Sequence, residues 1–187
     1  MLENLIKLVK EQAGGSIINN PAIPNERNDE AIETTSNSIT GGLQNMLRGN
    51  GIKDVLRMFG GQEDAINQDN PVVQNVSGNV IQNLMNKFNL DQGSANNIAG
   101  GLVPSVLKNL VSRTNNPGDN SFDIQGIFNQ LSGGKTGGMD IAGLIAKFKG
   151  GLDKDGDGDT DLKDIMAMFS GGGGAGVMDN VKGLFGR

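Results

Sequence analysis

Residues 70–110 read NPVVQNVSGNVIQNLMNKFNLDQGSANNIAGGLVPSVLKNL, and this stretch decides the fold because it carries two strong helical patterns. Its apolar residues recur at three- and four-residue spacings, which places them on one face of a helix. The two stripes are Val73, Val76, Val80, Leu84 and Phe88, followed by Ala95, Ile98, Leu102, Val106 and Leu110. Pro71 suits a first helical turn. We predict two antiparallel helices, joined by the short stretch 91–94, as the core of the domain.

Pro104 lies inside the second of these patterns. Because proline has no backbone N–H, it removes one helical hydrogen bond, and we expect the helix to bend there.

Shorter helical patterns flank this hairpin, and clean strand alternation is missing from the sequence. A first helix is expected to end at Gly14-Gly15, residues 16–25 read as a loop, and a second helix is expected to begin near Glu26. The apolar faces of the first three helices are Leu2, Leu5, Ile6 and Val9; Ile32, Ile39, Leu43 and Met46; and Ile52, Val55, Leu56 and Phe59. The expected fold class is all-α, a bundle of short helices punctuated by glycine.

The composition shifts at Asn115, where a turn-rich linker begins. A short helix (FDIQGIFNQL), an expected flexible join (GGKTGG), a second short helix (IAGLIAKF), an aspartate-rich loop and the apolar segment LKDIMAMF follow. We therefore expect a helical domain over residues 1–116, short helices with a calcium loop over 117–170, and a glycine linker with an amphipathic tail helix over 171–187.

One short unit recurs along the chain. IKDVLRMFGG at residues 52–61 and LKDIMAMFSGG at residues 162–172 match at nearly every position, and residues 141–151 and 126–134 are looser relatives. A short apolar helix closed by Gly-Gly could recur through composition alone. Alternatively, the units are equivalent helices that dock around a shared core, which predicts similar burial for Phe59 and Phe169.

Composition excludes several classes of function. The net charge of −5 argues against a nucleic-acid partner. The chain has no Cys and no His, which removes disulfides, zinc-thiolate sites and the usual hydrolytic triads, so we expect no enzyme. No stretch approaches the roughly 20 apolar residues of a membrane span. GGKT at residues 133–136 lacks the upstream glycine and the strand of a phosphate-binding loop.

The aspartate-rich loop has the spacing of an EF-hand calcium site. In the twelve-residue stretch 153–164, carboxylates occupy positions one, three, five, seven, nine and twelve, and Gly158 occupies position six, where the chain must turn sharply. Alternating residues let successive oxygens surround one ion, and position seven supplies its backbone carbonyl. The expected metal residues are Asp153, Asp155, Asp157, Asp159, Asp161 and Asp164. A merely solvated acidic loop is the alternative.

Two departures qualify this site. Position twelve is Asp164, where EF-hands usually carry Glu, and the shorter side chain favours weaker calcium binding or greater tolerance of Mg²⁺. Gly150-Gly151 precede the loop, so we expect the entering helix to stop early. In these respects the segment resembles a dockerin-type calcium loop, although dockerins carry two such loops and this chain carries one.

Residues 1–116 resemble the bacterial YidB-like family of unknown function. The resemblance lies in IAGGLVPSVLKNLVSRTNNP at residues 98–117 and in the short helices closed by Gly-Gly. It implies a helical protein of bacterial origin and supplies no activity.

These observations predict a structural or interaction protein that binds calcium, in which the metal orders the loop and positions LKDIMAMF against a core or a protein partner. The N-terminus does not read as a secretory signal, so we expect a cytoplasmic protein, although calcium loops are more typical outside the cytosol. A self-assembling homo-oligomeric scaffold and an enzyme with an acidic site elsewhere are the alternatives.

Overall fold

The computed structural model describes residues 2–49, 51–61 and 66–149, and helix is the only regular secondary structure among them. The expected all-α class is therefore confirmed for this part of the chain. The α-helices are α1 (Leu2–Gln12), α2 (Asn28–Arg48), α3 (Ile52–Gly60), α4 (Pro71–Phe88), α5 (Gln92–Asn115), α6 (Ile124–Leu131) and α7 (Ile141–Lys149).

The predicted α4–α5 hairpin is present, and side chains cap both of its helices. The Asn70 carboxamide accepts from the Val72 N–H at 2.9 Å where α4 begins. Asn89, at the end of α4, adopts the left-handed conformation that a short asparagine tolerates. The Asp91 carboxylate then accepts from the Ser94 N–H at 2.9 Å and from the Ser94 hydroxyl at 2.6 Å. All ten apolar residues predicted for the two stripes are buried.

Pro104 lies within α5, and the carbonyl left without its helical partner is bonded elsewhere. A proline at this position cannot donate to the carbonyl of Gly100 four residues earlier. The Gln68 side chain, from the loop before α4, donates to that carbonyl at 3.1 Å. The helix therefore continues past the proline to Asn115.

The region between α1 and α2 is more regular than expected. Residues 16–25 were predicted to be a loop, but Gly14–Ile18 forms a π-helical turn in which Ile17 is fully buried. A 3₁₀ turn at Asn25–Arg27 then leads into α2, close to the predicted start at Glu26. Buried apolar side chains inside this connection hold it against α1, α2 and α5.

Helix α2 lies at the centre of the bundle and packs against α1, α3, α4 and α6. Its middle, ETTSNSITGG, carries few apolar side chains, yet Thr34, Thr35, Ser36 and Ser38 are all buried. The Ser36 and Ser38 hydroxyls donate to carbonyls four residues earlier, at 2.8 and 2.7 Å, whereas the Thr34 and Thr35 hydroxyls have no hydrogen-bond partner within the described residues. Its most extensive contact is with α4. The core is therefore built on α2 and α4 as much as on the predicted hairpin.

Gly42 lies at a close approach between α2 and α4. A Cβ atom at this position would lie 3.1 Å from both the Cα and a side-chain methyl of Val76. Real Cβ atoms rarely come this close to a backbone atom, so a side chain at this position would require the closely packed neighbouring atoms to shift by a few tenths of an ångström.

Helices α6 and α7 join the same core. The rings of Phe59 in α3 and Phe128 in α6 meet edge to face with 5.5 Å between centroids, and α7 packs against both α3 and α6. The described part of the expected second segment, residues 117–149, thus contributes to one continuous hydrophobic cluster with the helices before it.

We predict that Gly42→Ala lowers the free energy of unfolding by about 1–3 kcal/mol, because the added methyl group overpacks the α2–α4 contact. Gly41→Ala is the matched control, since its Cβ would meet nothing within 4 Å. That variant should stabilise the protein by up to about 1 kcal/mol through helix propensity. Urea unfolding of both variants measures the difference, and equal effects would contradict the close approach.

Candidate functional site

The predicted metal residues, Asp153, Asp155, Asp157, Asp159, Asp161 and Asp164, lie outside the described residues, and so does Phe169. Within residues 2–49, 51–61 and 66–149, no three acidic side chains converge in a way that could hold a metal ion. The structure does describe α7, the helix that precedes the loop in the sequence, and the surfaces around this helix.

Helix α7 leads into the aspartate-rich loop and is anchored at its start. The Asp140 carboxylate accepts from the Gly143 N–H at 2.8 Å, which satisfies a free donor of the first helical turn. Ile141, Leu144 and Ile145 are buried against α3 and α6. The chain therefore leaves the core towards the loop from a packed helix.

The turn before α7 contains the GGKT sequence and is fixed by hydrogen bonds. Gly133 and Gly134 have φ values of 68° and 88°, in the left-handed region that glycine adopts without strain. The Thr136 side chain is only 1% exposed, and its hydroxyl lies 3.2 Å from that of Ser132. Where a flexible join was expected, the structure has a closed turn, and its threonine hydroxyl faces the interior.

Gln125 ties this turn to the start of α7. Its amide nitrogen donates to the Thr136 carbonyl at 3.0 Å, and its amide oxygen accepts from the Ile141 N–H at 3.1 Å. One side chain in α6 thus fixes where α7 begins. A glutamine in a short apolar helix gives no sequence signal for this role.

An apolar groove of about 250 Å³ opens beside α7, and we call it the α7 groove. It runs between the end of α5, the start of α6 and α7. Its lining is mainly aliphatic and consists of Thr114, Asn115, Pro117, Ile124, Ala142, Ile145 and Ala146. The two alanines are exposed and leave room above the helix. Hydrophobic periodicity could not have located this groove, because it arises where three helices meet.

A second groove, of about 280 Å³, lies between α2 and α4 and is polar. It is lined by Thr34, Asn37, Ser38, Gly41, Asn79, Asn83 and Lys87. The amides of Asn79 and Asn83 donate to carbonyls of their own helix at 3.2 and 3.0 Å. Neither groove is lined by a carboxylate, so neither offers a pair of acids for general acid–base chemistry.

A cluster of charges includes Lys87, which lines the polar groove. Glu30 accepts from Arg27 at 2.9 Å and lies 3.3 Å from the Lys87 ammonium. The Arg27 guanidinium also lies 4.3 Å above the ring of Phe88 and donates to the Lys87 carbonyl at 3.1 Å. These contacts join the start of α2 to the end of α4. The Arg27 hydrogen bond, assisted by Lys87, holds the pKa of Glu30 below its usual value.

The described residues define an all-α protein whose helices share one core. None of the described helices combines the length and the hydropathy that a membrane-spanning helix needs. The chain matches no protein-family profile, no curated protein and no solved structure. Its resemblances to the YidB-like family and to dockerin-type loops therefore stay predictions.

We predict that Glu30→Gln lowers the urea midpoint at pH 7, because it removes the charge that Arg27 and Lys87 share. A carboxylate with a lowered folded pKa stabilises the protein above its unfolded pKa, and this contribution is lost as the pH falls through the folded pKa. The gap between wild type and variant should therefore begin to narrow as the pH falls through about 4.3, the ordinary glutamate pKa, and should close only below the lowered folded pKa.

Glu33→Gln, at an exposed position of the same helix, is the matched control for general charge effects. A Glu30→Gln gap that stays constant from pH 7 to pH 3 would show that the charge is not the cause.

Proposed function

We propose that this protein binds one divalent cation, calcium in preference to magnesium, in the loop at residues 153–164, and that the metal serves a structural or interaction role. The observation that carries the proposal is the spacing of the six aspartates around Gly158. Calcium takes six to eight oxygen ligands at about 2.3–2.6 Å, and this spacing supplies them from alternate residues.

Charge supports an occupied loop. Lys154 and Lys163 offset two of the six negative charges, and a divalent cation would neutralise half of the remainder. Without a cation, like charges at every second residue repel one another and oppose a closed loop. Binding and loop closure are therefore coupled, and the metal acts as a fold-ordering ligand.

The roles of the individual carboxylates follow from their positions. Asp153, Asp155 and Asp157 offer side-chain oxygens, Asp159 offers its backbone carbonyl, and Asp161 binds directly or through a water molecule. Asp164 completes the set from the first turn of the exit helix, where an anion also interacts favourably with the helix dipole.

The described helices support a structural role for the metal. Helix α7 enters the loop from the core, and the apolar segment LKDIMAMF follows the loop directly. An ion that closes the loop would bring the exit segment back towards the core or towards a protein partner. The resemblance to the YidB-like family suggests a bacterial protein but supplies no activity, so the proposal rests on the loop.

A self-assembling scaffold is the second candidate, and the repeated units favour it. The three described units at α3, α6 and α7 pack on one another, so the fourth could pack on another subunit. Light scattering with calcium and with chelator distinguishes this candidate from a monomer, because association of subunits raises the molecular mass.

We predict that calcium at a hundred times its dissociation constant raises the free energy of unfolding by about 2.7 kcal/mol, provided that loop closure is coupled to the core. Asp157→Ala should abolish the increase and leave stability in chelator unchanged. Thermal unfolding with calcium and with chelator measures both.

Asp69→Ala is the matched control, since Asp69 is an exposed aspartate outside the loop, and it should keep the full response to calcium. Equal destabilisation of Asp157→Ala in calcium and in chelator would show that Asp157 has a role other than metal binding.

A further inference from the structure

We propose that residues 162–169, LKDIMAMF, form a helix that docks in the α7 groove of the same chain. The dependence of this docking on calcium rests on the proposed function, whereas the groove and its fit to the segment do not. The inference depends on three observations: how the described repeat units pack, what lines the groove, and where the chain continues.

The described repeat units already form a cluster. The units at α3, α6 and α7 come from different parts of the chain, yet α7 packs against both of the others and the Phe59 and Phe128 rings are in contact. Equivalent docking helices require such adjacency, whereas the burial of Phe169, which would separate docking from chance recurrence, lies outside the described residues. The fourth unit, at residues 162–169, is the one that matches α3 most closely in sequence.

Helix α3 shows what the matching segment would bury. Ile52, Val55, Leu56 and Phe59 form its apolar face, and each is at most 7% exposed. The same helical positions of the fourth unit are Leu162, Ile165, Met166 and Phe169. The segment thus carries an equivalent apolar stripe with large side chains.

The α7 groove provides a complementary surface. Ala142 lies three and four residues before Ile145 and Ala146, so these residues share one side of α7, and Ile124 and Pro117 also line the groove. The small alanine side chains leave space in the groove for a large apolar side chain. Docking would remove apolar surface of the segment and of the groove from contact with water, and this removal is the main source of stability in helix packing.

The chain is placed to fill this groove. Helix α7 lines the groove and leads directly into the stretch before the segment. Residues 150–161 could span up to about 40 Å if extended, whereas residues 162–169 would form only about 12 Å of helix. Length therefore does not prevent the segment from returning to α7, and a closed metal loop would shorten the path.

Cysteine pairs test the docking, because the natural chain has no cysteine. In the full-length chain, Ala146→Cys is combined with Met166→Cys, and disulfide formation is followed in calcium and in chelator by non-reducing gels and peptide mass spectrometry. Gln74→Cys combined with Met166→Cys is the control pair, since Gln74 is exposed on α4. Circular dichroism checks that both variants keep the wild-type helix content, and Ala142→Cys replaces Ala146→Cys if the first pair does not fold.

We expect an intramolecular disulfide in the groove pair that forms in calcium at least about tenfold faster than in the control pair, because docking raises the effective concentration of the two thiols. Equal rates for the two pairs in a chain that binds calcium by equilibrium dialysis would overturn the docking and leave the metal site intact. A fast groove disulfide in a chain that binds no calcium would support the docking and overturn the proposed function. Disulfides between chains would show that a second copy, rather than the same chain, fills the groove.

Discussion

The close approach of α2 and α4 is the constraint on which the rest of the structure depends. Gly42 allows the backbone of α4 to come so close that a Cβ at this position would lie 3.1 Å from the Val76 Cα. Small hydroxyl side chains are buried in the middle of α2, and Ser36 and Ser38 donate hydrogen bonds to carbonyls of their own helix. Helix α2 also packs against α1, α3 and α6. Helix α7 packs in turn against α3 and α6.

The strongly apolar helices could be predicted from sequence because large aliphatic residues recur with helical periodicity. Every residue of the two stripes in α4 and α5 is buried as predicted. The middle of α2 could not be read in this way, since serine, threonine and glycine carry no hydrophobic signal. Their burial follows from how closely two helices approach, which is a property of the tertiary structure.

Hydrogen bonds from side chains to backbone groups of other segments could not be predicted from the sequence either. Gln68 bonds the carbonyl that Pro104 leaves without its helical partner, and Gln125 fixes the turn that a glycine-rich sequence presents as flexible. Both hydrogen bonds join different segments of the chain, which hydrophobic periodicity within one segment cannot predict. The candidate metal site shows the reverse case, because its proposed ligands are predicted from local spacing alone. The structure adds the packed helix that leads into it and the apolar groove beside that helix.

The central claim is that the loop at residues 153–164 closes around one calcium ion. Calorimetric titration of the unmodified chain tests it most directly, with magnesium as the competing ion. The account predicts saturable binding of one calcium per chain, tighter than the binding of magnesium because the flexible ring of carboxylates suits the larger cation. A titration that shows no saturable heat with either cation would contradict it.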